Sequence, residues 1–255
     1  MSWWELLLVA LAGGGAGLIN AVVGTGTLIT FPTLLALGVP PVLANVSNSV
    51  GLAPGSLSAA LASRPDLRGQ RPRMIRYGLA SLLGSIVGAL LLLRLPPSAF
   101  TAIVPVLIGL GCVLVIIGPW LTRAIASRRE RLGLGEGSTT GPPWLFPVII
   151  FTGAYGGYFG AAQGVLVLAV MGIAVSETMA RINGLKNVLV MIANAVAGVV
   201  FVIISEVDWW IVLALAVGSV LGAQVGARVG RKLPPLVYRA VIVAVGVVAI
   251  VTLVG

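Results

Sequence analysis

The sequence predicts an all-α membrane protein: a polytopic helical bundle of two inverted repeats, each a re-entrant or broken-helix hairpin followed by three spanning helices. Three observations carry that expectation. Of 255 residues, 58% are hydrophobic and only 9% charged, with a mean hydropathy of +1.10. A soluble domain carries roughly a quarter charged residues, so this chain could not cover its own surface in water. The basic residues fall into three connections between apolar runs, and the second half of the chain repeats the first at an offset of 138 residues.

Taken in order, Met1–Leu11 carries Glu5 and no basic residue ahead of its apolar run, and reads as a retained first segment rather than a secretory signal. Clear spans follow at 41–62, 77–94, 98–122, 179–204, 208–228 and 235–254. Arg64, Arg68, Arg71, Arg73 and Arg76 form the first basic cluster, Arg123, Arg128, Arg129 and Arg131 the second, and Arg228, Arg231, Lys232 and Arg239 the third. Cytoplasmic loops retain Lys and Arg, which places these connections on the inner side of the cell membrane and both termini outside. The net charge of +9 then reflects orientation, and no nucleic acid is expected as a partner.

That orientation leaves residues 1–40 and 142–178 as even crossings or re-entrant hairpins. Their return arms, about Leu28–Leu37 and Val165–Ile173, would reach roughly half of a 30 Å hydrocarbon core at 1.5 Å per residue. Broken or re-entrant helices are the expectation, and non-helical backbone at that depth must be buried in protein or line a cavity. The repeat itself is plain in Ser81-x-Leu83-Gly84-x-x-Val87-Gly88-Ala89 and Leu95-Pro96-Pro97, which recur as Ser219-x-Leu221-Gly222-x-x-Val225-Gly226-Ala227 and Leu233-Pro234-Pro235. The Gly84/Gly88 and Gly222/Gly226 spacing suits close helix packing in lipid. Residues 1–126 form the first repeat, 127–141 a cytoplasmic linker and 142–255 the second. An odd number of full crossings per repeat inverts the second copy, the arrangement of a secondary transporter with its site at midplane.

Candidate substrate-binding residues follow from the same symmetry. The first hairpin turns at Gly24-Thr25-Gly26-Thr27 and the second at Gly160-Ala161-Ala162-Gln163-Gly164, with Gly26 matching Gly164. Each return arm would begin with unpaired N–H groups and a positive dipole end, which attract an anion; a glycine-softened kink solvated by its neighbours is the plainer alternative. Asn45, Ser49 and Ser56 share one helix face and map onto Asn183, Asn187 and Asn194, while Asn48 maps onto Lys186. These stripes either hold a ligand or hydrogen-bond between helices. Lys186 lies inside a span with no acidic residue between Glu177 and Glu206. Its counter-charge is a transported anion, or it snorkels to the interface as Arg181 does while Glu177 pairs with Arg181. Asn20, Tyr155 and Tyr158 are further lining candidates.

Histidine is absent and Cys112 is the single cysteine, which removes His-based catalysis, intrachain disulfides and His-ligated metal centres. The expectation is a non-enzyme with no cofactor and no metal ligands. Coupling to H⁺ or Na⁺ is open, because no carboxylate lies midway along a clear span.

The pattern resembles the TauE/SafE family of sulfite and organosulfonate exporters. The matching stretches are Gly13–Gly17 through Gly24-Thr25-Gly26 and Pro32, Leu37–Pro41 through Ala44–Asn48, Arg181–Asn187, and Gly218–Gly222 through Leu233–Pro235. The chain departs from the family's denser glycine run at Thr25 and Thr27 and from its threonine-serine pair near Asn45 to Ser47. The resemblance implies a duplicated all-helical carrier of about eight transmembrane segments that moves sulfite, sulfoacetate or another small sulfonate, usually outward. A passive anion channel, or a carrier for another small anion or a metal ion, is the alternative reading. Neither an oligomeric state nor a protein partner is indicated.

Overall fold

The computed structural model describes residues 1–131, 141–229 and 235–254. Arg231, Lys232, Leu233, Pro234 and most of the expected linker lie outside the described residues. The described residues form helices and connecting turns, with no strand. The helices are α1 (Trp3–Val22), α2 (Thr27–Ala36), α3 (Pro41–Ala62), α4 (Arg71–Arg94), α5 (Pro97–Arg131), α6 (Leu145–Tyr158), α7 (Gln163–Ala174), α8 (Met179–Ile204), α9 (Trp209–Val229) and α10 (Pro235–Val254), with a 3-10 turn at Arg64–Leu67.

Local sequence sets these boundaries. Pro41, Pro72, Pro97 and Pro235 sit in first turns, where the missing N–H costs nothing and the fixed φ suits a helix. The helix starts at Pro41, Arg71 and Pro97 each precede one at Met179, Trp209 and Pro235 by 138 residues. Gly38, at φ +80°, ends α2 by directing its N–H to the Leu35 carbonyl and that of Val39 to Leu34. The first residues of the expected linker, 127–131, continue α5, and the arginines there are good helix formers.

Among the described residues, five helices are long and apolar enough to cross a membrane: Trp3–Val22, Arg71–Arg94, Pro97–Gly118, Met179–Ile204 and Trp209–Arg228. The expected span 41–62 is helical over its whole length but is not among the five. Asn45, Ser47, Asn48, Ser49 and Ser56 lower its hydropathy, and all five are buried. The return arms α2 and α7 are 10 and 12 residues long.

Two helix pairs are packed backbone to backbone. A Cβ on Gly226 of α9 would sit 2.6 Å from the Leu18 carbonyl of α1, and one on Gly153 of α6 would sit 2.6 Å from the Ser81 carbonyl of α4. Only glycine permits that approach. Ala10, Gly14 and Leu18 of α1 meet Gly218, Gly222 and Gly226 in the same order, so α1 and α9 run parallel. Ser81 and Ser85 of α4 likewise meet Gly153 and Gly157 of α6 in order, so this pair is parallel too.

The bundle is apolar outside and buries a set of polar side chains within a largely apolar core. Ile75, Leu79, Leu83, Val87 and Leu91 form an exposed stripe on α4, and Leu213, Val217, Leu221 and Val225 form one on α9. Asn45, Asn48, Ser85, Lys186 and Ser219 are wholly buried. Lipid, unlike water, leaves interior polar groups to satisfy one another. Ser81 Oγ donates to the Leu189 carbonyl at 3.1 Å, and Ser219 Oγ donates to that of Gly51 at 3.3 Å. Trp3, Trp4, Trp209 and Trp210 are exposed at the starts of the parallel α1 and α9, which puts four indoles at one end, as an interfacial belt requires.

Candidate functional site

Both hairpins break in the same way. At the end of α1 the N–H groups of Val23 and Gly24 converge on the Ile19 carbonyl at 2.7 and 3.2 Å. At the end of α6 those of Phe159 and Gly160 converge on Tyr155 at 3.0 and 3.1 Å. Gly24 has φ +84° and Gly160, at the same point of the second break, has φ +76°; two residues on, Ala162 has φ +62°, a left-handed conformation that glycine adopts freely and alanine does not. Tyr155 Oη donates to the Ala161 carbonyl and braces the second turn. Phe159 packs edge-on against Phe31 of α2 with ring centroids 5.1 Å apart, so the second turn rests on the return arm of the first hairpin.

The two tips touch. The Gly164 N–H donates to the Gly24 carbonyl at 3.1 Å, and a Cβ on Gly24 would lie 2.5 Å from Gly164 Cα and 3.3 Å from Lys186 Cδ. The amides expected to be unpaired at the second hairpin therefore have acceptors: Gly164 has Gly24, and Val165 has Ala162 at 3.0 Å. Those of Thr25, Gly26 and Thr27 have no backbone acceptor among the described residues.

The polar stripes cap the broken helices. An interrupted helix leaves its last carbonyls without intrahelical donors, and in a membrane interior protein groups must supply them. Lys186 Nζ donates to the Asn20 carbonyl at 3.0 Å. Asn183 and Asn187 each direct Nδ2 to the Ala21 carbonyl at 3.4 Å, and Asn187 also donates to Ser63 Oγ at 2.8 Å. Across the bundle, Asn45 Nδ2 donates to the Tyr158 carbonyl at 2.9 Å. Thus α8 caps α1, and α3 caps α6.

The remaining expected residues divide between the site and its supports. Asn48 receives the Thr30 hydroxyl and donates to Thr27 Oγ1 at 3.4 Å, fixing α2 to α3. Asn194 and Asn20 both donate to Ser56 Oγ, at 2.8 and 3.2 Å. Ser49 turns back on its own helix, donating to the Asn45 carbonyl at 2.9 Å, and is not brought to the tips by any hydrogen bond. Lys186 does not snorkel: its side chain is wholly buried at the junction of α1 and the two tips. Thr25 Oγ1, Gln163 Nε2, Asn45 Oδ1 and Asn183 Oδ1 are buried without a hydrogen-bond partner among the described residues. Thr25 and Gln163 flank the Gly24–Gly164 contact in sequence.

A small cleft opens beside the end of α1, lined by Ala21, Ser63, Asp66, Asn183, Asn187 and Gly226 among others. Next to it, Glu177 holds Arg73 at 2.5 Å and Arg181 at 2.6 Å, and Gln70 Nε2 reaches the Arg181 carbonyl at 3.0 Å. Burial acts to raise the Glu177 carboxyl's pKa, but hydrogen bonds from Arg73 and Arg181 outweigh it and hold the group below its ordinary value. The Glu177–Arg181 pair follows from helical spacing. The sequence groups Arg73 with the orienting arginines, and nothing in it signals a place on Glu177. Ser63, just past the end of α3 and off the repeated Asn45–Ser49–Ser56 stripe, carries no signal either.

The family described as sulfite exporter TauE/SafE matches residues 9–253. The chain belongs to the TauE/SafE family. Among its relatives, a "Probable membrane transporter protein" of Haemophilus influenzae is 27% identical over 88% of this chain and 84% of its own length. "Probable membrane transporter protein ORF9" of Sinorhizobium sp is 28% identical over 91% of this chain and 85% of its own. "Probable membrane transporter protein YfcA" of Escherichia coli is 25% identical over 91% and 83%. No solved structure matches. Within this TauE/SafE chain, the Gly24–Gly26 stretch builds the turn of the first hairpin, Leu37–Asn48 supplies the Asn45 cap at the end of α6, and Arg181–Asn187 supplies the groups at the end of α1.

Proposed function

We propose that this TauE/SafE chain is a secondary transporter that exports a small sulfur-containing anion, such as sulfite, sulfoacetate or another organosulfonate, by alternating access. The observation that carries the reading is Lys186, a wholly buried ammonium group whose side chain lies against Gly24 where the two hairpin tips meet. Such a charge is costly in a dry interior unless an opposite charge joins it. An anion entering between the tips would meet that ammonium, the Gln163 amide and the Thr25 hydroxyl; the last two have buried donor atoms without partners among the described residues. A sulfonate or sulfite group offers three oxygens to such a set.

Two inverted repeats supply the moving parts in this reading. The paired helix starts and the exchanged hydrogen bonds Ser81 to Leu189 and Ser219 to Gly51 support it. Helices α1 and α9 form one close pair, α4 and α6 the other, each joining one repeat to the other. Rocking of one repeat on the other would close the cleft beside Asn183 and open its counterpart beside Asn45. With the basic connections cytoplasmic, the cleft near Asp66 faces inward, both termini lie outside, and residues 127–141 link the repeats inside.

The test is flux of sulfite, sulfate and a small sulfonate in proteoliposomes, with H⁺ and Na⁺ gradients varied separately. Saturable flux of a sulfur oxyanion, stimulated by the same anion on the opposite side, is expected. Non-saturable flux without counter-transport stimulation would make the protein a channel, and flux only of other ions would remove the sulfur substrate.

A further inference from the structure

We propose that the Lys186 ammonium is a built-in cation: it occupies a seat at the C-terminal end of α1 that would otherwise take Na⁺. Transport by the native chain then needs no Na⁺, and replacing Lys186 with a small neutral residue creates a Na⁺ requirement. The transport part of this inference rests on the carrier reading; the cation seat does not.

The end of α1 is the negative pole of a helix stopped inside the bundle. Its Asn20 carbonyl accepts from Lys186 Nζ at 3.0 Å. The next carbonyl, Ala21, receives the Asn183 and Asn187 amides at 3.4 Å, both long for hydrogen bonds. Asn183 Oδ1 is buried without a partner among the described residues. Without the ammonium, Asn20 O, Ala21 O and Asn183 Oδ1 are left around the end of a broken helix. Neutral oxygens in that setting suit a hard monovalent cation, and half-helix C-terminal ends are where membrane carriers hold one.

The other half of the molecule argues that the charge is not there for capping alone. At the end of α6 the Tyr158 carbonyl is satisfied by the neutral Asn45 amide at 2.9 Å. The residue matching Lys186 by the 138 offset is Asn48, also neutral, and it bonds Thr27 and Thr30 instead of a helix end. One broken helix is closed by a neutral amide and the other by a lysine amino group, which when protonated puts a monovalent cation at one helix end and leaves the other end neutral.

The experiment compares native protein, K186A and K186R in sodium chloride and in choline chloride at equal ionic strength, reading thermal stability in detergent and anion flux in proteoliposomes. Na⁺ is expected to stabilise K186A saturably while leaving native protein and K186R unchanged, and K186A flux in sodium chloride should exceed that in choline chloride about tenfold or more. Should K186A fold poorly, its folded yield on extraction in the two salts is read instead, with recovery in sodium chloride alone expected. Equal responses of native protein and K186A, indifference of K186A to Na⁺, or equal yields in both salts would overturn the inference. Na⁺ stabilisation of K186A in a protein that moves no anion would keep the cation seat and remove the carrier reading.

Discussion

Gly164→Ala tests the contact between the hairpin tips. Its Cβ would fall 2.5 Å from Gly24 Cα, 2.7 Å from the Val23 carbonyl oxygen and 3.0 Å from that of Gly24. All three are backbone atoms of the opposite tip, which cannot swing aside as a flexible side chain could. Carbon atoms rest about 3.5–4.0 Å apart, so the tips must separate by about 1 Å. The Gly164–Gly24 hydrogen bond, 3.1 Å long, would then open, at a cost of about 1 kcal/mol. Overpacking of the surrounding core adds about 1–3 kcal/mol, for an expected loss of about 2–4 kcal/mol. Thermal unfolding of purified protein in detergent reads the loss. Gly15→Ala is the matched control, since its Cβ would meet only Ile29 Cδ1 at 3.9 Å, and it should be neutral or stabilising by up to about 1 kcal/mol. Unfolding of G164A at the native temperature would refute the packing of the two tips.

Three further outcomes are expected. Ser56→Ala removes the acceptor shared by Asn20 and Asn194 and should cost about 1–3 kcal/mol in reversible denaturation; native stability would show that the shared hydroxyl does not hold α1, α3 and α8 together. Ala162→Gly relieves the left-handed alanine and should stabilise the fold by about 1 kcal/mol, read as a higher melting temperature. Glu177 has its carboxyl pKa held below the usual 4.5, so its contribution is present above that value and is lost as pH falls through the lower folded-state value. Melting temperature followed from pH 7 down should show an acid-side fall in native protein that is smaller in E177Q, and identical profiles would show that the Arg73–Glu177–Arg181 cluster does not act in this way.

Much of the architecture is legible in sequence because lipid punishes exposed polarity. The hairpin turns at Gly24 and Gly160, the return arms, the glycine contacts at Gly226 and Gly88 and the buried stripe from Asn45 to Ser56 all follow from composition and spacing. What the stripes bond to does not. Helical phase puts Asn45 and Asn183 on an inward face, but it does not say that each caps a helix ending in the opposite half, at Tyr158 and Ala21. Those partners are set by how the repeats interlock, a contact at long sequence separation. For the same reason Lys186 carries two readings in sequence, of which its depth in the fold removes the snorkelling one, and Arg73 is unrecognisable there as the partner of Glu177. Ser49 shows the limit of phase: it lies on the right face but hydrogen-bonds its own backbone.

In the proposed carrier, Lys186 supplies the charge that draws a sulfur oxyanion to the hairpin tips. Sulfite flux into proteoliposomes should be measured for native protein and Lys186→Met, after matched insertion has been verified. Saturable flux is expected in the native protein and a loss of about tenfold or more in the variant, the scale on which a single charged hydrogen bond acts. Equal flux through both proteins would contradict that role for Lys186.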